Sequence, residues 1–128
     1  MARVLLSVMV LSSIASQYDP GVMGTTIAIR QAGRTAMDLP KDLPDVDGFV
    51  AVEDCSRIGD IVYVRFEGGL WESFLIADCS GSRETSRWME RNGIGFEVDH
   101  ATAVRWDTVG YGADVEILLG QRIGYACD

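Results

Sequence analysis

The apolar positions of this chain fall mainly into short runs with a period of two, the spacing of half-buried strands. Gly48-Phe49-Val50-Ala51-Val52 reads as one strand, and Asp60 to Phe66 (DIVYVRF) alternates until the Glu67-Gly68-Gly69 turn. Trp71 to Ala77 (WESFLIA) is the natural hairpin partner of that second run. Ile94 to Val98 and Ala113 to Leu119 (ADVEILL) supply two more strands, and Thr25 to Ile29 (TTIAI), rich in β-branched residues, reads as a short one.

Helical spacing is rarer. Ser82 can cap a helix whose first turn holds Glu84, whose apolar contacts are Trp88 and Met89, and which stops at Asn92-Gly93. Asp99 can cap another through Ala101, Thr102, Ala103, Val104 and Trp106. Between Gly33 and Gly48, two prolines and four acids without a sustained period read as a surface loop. Six short strands without regular βα alternation point to an all-β domain, a small closed barrel with one or two short helices. Closure leaves no exposed sheet edge in so small a domain.

The chain's 128 residues suit one domain and one core, burying roughly two-thirds of the unfolded surface. The expected division is a body over 16–119 and a tail over 120–128, with two readings open for residues 1–15. One basic residue, an apolar stretch from Val4 to Leu11 and a small-residue site after Ala15 resemble a secretory leader. The same residues equally suit the start of the first strand. The apolar stretch is too short to span a bilayer as a helix.

The net charge of −8, with the 11 basic residues scattered, argues against a nucleic-acid surface, which needs clustered Lys and Arg. Neutral polymers such as polysaccharides meet no such repulsion. Three cysteines leave at least one outside any intramolecular pair; in an oxidising compartment Cys55 and Cys79, both inside the patterned body, are the expected pair. A single histidine, His100, makes a structural zinc site improbable, and no metal or cofactor is expected.

Four segments in order resemble the double-psi β-barrel domains of the rare lipoprotein A-like, expansin-like and barwin-like group: ASQYDPGVMG with Arg34-Thr35-Ala36, VAVEDCSRIGDIVYV, FLIADCSG, and IGFEVDHATAVRWDTVGYGADVEI. The resemblance covers residues 15–119 and implies a six-stranded double-psi barrel whose first strand lies near Ser12 to Tyr18. It further implies a protein of the cell envelope or the extracellular space that acts as a monomer on a wall polysaccharide such as peptidoglycan or cellulose. Members of the group include lytic transglycosylases, endoglucanases, and expansins that loosen cellulose without hydrolysis.

Glycosidic cleavage needs a protonated acid near the bridging oxygen and help for an oxocarbenium-like centre. By motif, Asp78 and Asp99 occupy the group's acidic strand ends, and Glu53 stands where transglycosylase-type members carry a histidine. Met37-Asp38 replaces the group's glutamate after the Thr-Ala pair, so the acid–base pairing differs from theirs. Tyr18, Asp19, Trp71 and His100 are candidate substrate contacts, Trp71 as a stacking face beside the Gly68-Gly69 turn. Each acid has a plainer reading: Asp78 as a turn cap, Asp99 as a helix cap, Asp19 as a turn residue. A non-catalytic polysaccharide-binding or wall-loosening module, or a structural scaffold, therefore stands beside the enzyme.

Overall fold

The computed structural model describes residues 9–33, 37–80, 84, 87 and 94–119. It is mostly β. Six strands, β1 (Met9–Gln17), β2 (Gly48–Val52), β3 (Ile61–Phe66), β4 (Trp71–Cys79), β5 (Ile94–Val98) and β6 (Ala113–Leu119), form one sheet. Two helices accompany them, α1 (Val22–Gln31) and α2 (His100–Trp106). The strand order is β1-β5-β2-β4-β3-β6, and β6 returns to β1, so the sheet closes on itself. The expected helix from Ser82 and the tail from Gly120 lie outside the described residues, apart from Glu84 and Arg87, which are helical. Among the described residues no helix is long and apolar enough to cross a membrane.

Two of the pairings, β1 with β5 and β2 with β4, are parallel, and each is interrupted by a bulge. In the second, Val50 faces Ile76 but Ala51 faces Asp78, so Ala77 and Asp78 together oppose one residue. An extra residue of this kind re-aims the side chains that follow it. Ile76 points into the barrel core with Val50, whereas Ala77 joins Ala51 in a second cluster on the outer side. Asp78 consequently emerges on the outer surface, beneath α1.

The segment Thr25–Ile29, read as a strand from its β-branched residues, is the middle of α1. Here packing overrides local propensity. Met23 and Ile27, stacked one helical turn apart, bury their side chains together against Ala51, Ala77 and Leu39, whereas in a strand they would be roughly 13 Å apart along the chain. Gly21 opens the helix in the left-handed region at φ 79°, a conformation that glycine adopts without strain. Leu39 closes the cluster from the following loop, its N–H donating to the Arg30 carbonyl at 3.1 Å.

α2 plugs one end of the barrel. Trp106 stacks on Phe66 with ring centroids 5.0 Å apart, meets Phe74 edge-on at 5.8 Å, and donates its indole N–H to Glu72 at 2.8 Å. A Cβ at Gly48 would lie 2.5 Å from both the Phe74 ring and Thr102 Oγ1, so the glycine permits this close approach of β2 to the plug. Cys55, in a short 3-10 turn, and Cys79, at the end of β4, are joined by a disulfide with their Cα atoms 5.0 Å apart. It fixes the end of β4 immediately after Asp78.

Candidate functional site

Four side chains from four separate parts of the chain meet on the outer face of the β1-β5-β2-β4 half of the barrel. Asp78 is the centre. Arg30, in the last turn of α1, places Nη2 2.6 Å from its Oδ1, and the Tyr18 hydroxyl donates to its Oδ2 at 2.5 Å. The ion pair is largely buried, with the two side chains 11% and 15% exposed, so it is little screened by water. Arg30 also donates through Nη1 to the Met37 carbonyl at 2.9 Å, tying the loop that follows α1 to the same centre.

The fourth member is Glu97 on β5. It is opposite Ser16 on one side and Ala51 on the other, and Ala51 in turn is opposite Asp78. Glu97 and Asp78 therefore share one row and one face, two strand spacings apart, about 9.5 Å between backbones. The residue between them is Ala51, which is buried in the cluster with Met23 and Ile27 of α1, so the helix packs over the middle of the row and the two carboxyls flank it. Burial raises the Glu97 pKa above its ordinary 4.5, and the charge of Asp78 raises it further. Tyr18 is raised above its ordinary 10.0, first by burial and then by its hydrogen bond to Asp78, so its hydroxyl remains a donor.

These shifts carry a stability signature. Because the folded protein holds a proton on Glu97 that the unfolded chain has released, stability falls as pH climbs from about 4.5 through the raised pKa of the native carboxyl. Urea unfolding of wild type and Glu97→Gln between pH 4 and 8 checks this. The difference curve should decline with pH over that window, and parallel curves would remove Glu97 from the charged cluster.

The remaining expected residues lie elsewhere. Asp99 caps α2: its Oδ1 accepts from Thr102 Oγ1 at 2.6 Å and from the Phe49 N–H at 3.0 Å, while Oδ2 accepts from the Thr102 N–H at 3.3 Å. Its carboxylate thus stitches α2 to β2, and within the β5 segment the partner that Asp78 meets is Glu97. Asp99, His100 and Asp19 line a shallow cavity of about 230 Å³ between the starts of the two helices. Glu53 stands apart, exposed at the mouth of the barrel.

Trp71 is 37% exposed, but the Arg65 guanidinium covers one of its faces at 4.6 Å from the ring centroid, and Arg65 is itself paired with Glu116 at 2.8 Å. Trp106 is part of the core, and Trp88 lies outside the described residues. Among the described residues no group of three or more His, Cys, Asp or Glu could hold a metal ion.

Arg30 and Glu97 were not singled out from sequence. The signal for Glu97 was present in IGFEVD, where an acid two positions before a capping aspartate shares its side of the strand. Arg30 was hidden by the strand reading of the segment that precedes it. In comparisons with protein-family models, with curated proteins and with solved structures, no match to the chain was found.

Proposed function

We propose that this chain is a double-psi β-barrel protein of the cell envelope or extracellular space that cleaves glycosidic bonds in a wall polysaccharide, with Glu97 and Asp78 as the working pair. The barrel part of this reading is supported by the closed order of six strands, with two parallel pairs each carrying a bulge, the relation expected of two interlocked loops. The disulfide fits an oxidising compartment.

The observation that carries the chemistry is the unlike setting of the two carboxyls. Glu97 is pushed toward its protonated form, whereas Asp78 is engaged by a guanidinium and a hydroxyl donor, both partners of a charged carboxylate. Two carboxyl groups so differentiated divide into acid and stabiliser. In the proposed step the Glu97 carboxyl gives its proton to the bridging oxygen as the bond to the anomeric carbon breaks, and the leaving sugar departs as an alcohol. Asp78, held by Arg30 and Tyr18, faces the developing positive charge. Glu97, now a carboxylate, takes the proton of the incoming hydroxyl, whether from water or from the sugar itself, and is restored.

A non-catalytic binding or wall-loosening module is the second reading, favoured by the structural use of Asp99 as a cap and by the full engagement of both Asp78 oxygens. Purified peptidoglycan and cellulose, incubated with wild type, Glu97→Gln and Asp78→Asn and assayed for soluble products, separate the two. Loss of the acid should lower turnover by roughly 10²–10⁴-fold. Binding to the polymer without products from the wild type would establish the module instead.

A further inference from the structure

The two ends of the barrel differ. One is filled by Trp106, Phe66 and Phe74 beneath α2. At the other, a cavity of about 310 Å³ opens among inward-facing residues of the sheet, including Leu11, Val52, Val62, Ile76, Phe96 and Ile117. Leu11 belongs to an inner row with Ile117 and Val64, yet it is 41% exposed. An apolar side chain on the inner face of a barrel is normally covered; this one borders open space. The volume is at the small end of ligand cavities, roughly 300–1,000 Å³, and the apolar wall with a few polar groups at its rim is their usual form.

The rim decides the kind of ligand. Glu53 and Asp54 stand at the opening, and the one cation among the described residues that line it, Arg57, already faces Asp60 at 3.7 Å. Among the described lining residues the balance is acidic, and so is the chain at net charge −8. An anionic head would meet repulsion, whereas an ammonium would be attracted to the exposed Glu53 carboxylate.

We propose that the barrel mouth binds a small molecule with an apolar body and a protonated amine. The hydrocarbon lies against Leu11, Val52 and Ile117, and the ammonium lies at Glu53. This site is separate from the Asp78–Glu97 row, which is on the outer face of the sheet, and it does not depend on the proposed glycan chemistry.

The test uses three probes of equal chain length, n-hexylammonium, n-hexanol and n-hexanoate, titrated into the full chain at neutral pH. Calorimetry gives affinities, and methyl NMR shifts of Leu11, Val52 and Ile117 report the place. Saturable binding should follow the order ammonium, alcohol, carboxylate. Glu53→Gln should weaken the ammonium by about two- to five-fold, the range of one exposed ion pair, and leave the alcohol unchanged. Val52→Phe, which fills the mouth without altering its charge, should weaken all three probes.

Hexanoate binding as well as hexylammonium would overturn the proposal, as would shifts confined to other parts of the protein or no saturable binding. Binding gained only when residues 120–128 are deleted would also overturn it, by showing that the chain's own tail takes the place assigned to the ligand.

Discussion

Arg30→Met should destabilise the folded protein by about 2–4 kcal/mol, the cost of leaving a mostly buried carboxylate without its counter-ion, reduced for the remaining exposure. In the variant Asp78 would keep the Tyr18 hydroxyl but face Glu97 across Ala51 with no compensating cation. Arg30→Lys should recover only part of the loss, because one ammonium cannot bond Asp78 and the Met37 carbonyl together as the guanidinium fork does. The double variant Arg30→Met/Asp78→Asn removes both charges and should be more stable than Arg30→Met alone. Urea unfolding of wild type, Arg30→Met, Asp78→Asn and the double variant at one pH measures the coupling. Additive effects of the two single changes would mean that the pair contributes nothing jointly and that Asp78 is placed by its strand alone.

That experiment bears on function because the same pair orients the carboxylate on which the proposed chemistry relies. A carboxylate held from two sides, by a helix and by the residue that follows β1, has a fixed direction, whereas a turn cap at a strand end would follow its own loop. The bulge at Ala77–Asp78 and the disulfide at Cys79 act to the same end. Backbone irregularity, covalent closure and ion pairing thus all converge on one side chain.

The strands were legible in the sequence because alternation of apolar and polar residues is a local signal, and each alternating run from Gly48 onward is a strand of the barrel. Thr25–Ile29 was not, since its β-branched composition signals a strand while its actual determinant, the one-turn spacing of Met23 and Ile27, matters only when a surface is present to receive them. Asp78 stood out as an acid ending a strand. Its meeting with Tyr18, Arg30 and Glu97 could not be read, although Tyr18 was a candidate by itself, because the four come together only in the closed sheet: β5 sits between β1 and β2 in space, although 41 residues lie between Val52 and Ile94 in the chain. Glu97 reads in isolation as an ordinary solvent-facing position of an alternating strand. Its raised pKa belongs to the assembled row, not to the segment.

Removal of residues 1–15 should abolish cooperative folding. All seven β1–β6 pairs lie between Met9 and Ala15, from Met9 opposite Leu119 to Ala15 opposite Ala113. A chain beginning at Ser16 keeps only Ser16 and Gln17 of the strand, paired with β5, and loses the whole ladder that closes the barrel. It also loses Ala15, which is 1% exposed and packs in the core with Phe96 and Val98. Two new sheet edges would open, one along β6 and one along β5, each with unpaired backbone groups. The loss should exceed the 5–15 kcal/mol that separates a typical folded domain from its unfolded chain, given that it combines the ladder, the core contacts and the exposed edges. A chain beginning at Met9 is the control: it retains every pair of the ladder among the described residues and should unfold cooperatively, close to the full chain. Near-ultraviolet circular dichroism and urea titration of the three lengths decide the matter. Cooperative unfolding of the 16–128 chain at an unchanged midpoint would show that β1 is dispensable and that the remaining five strands hold the Asp78 row by themselves.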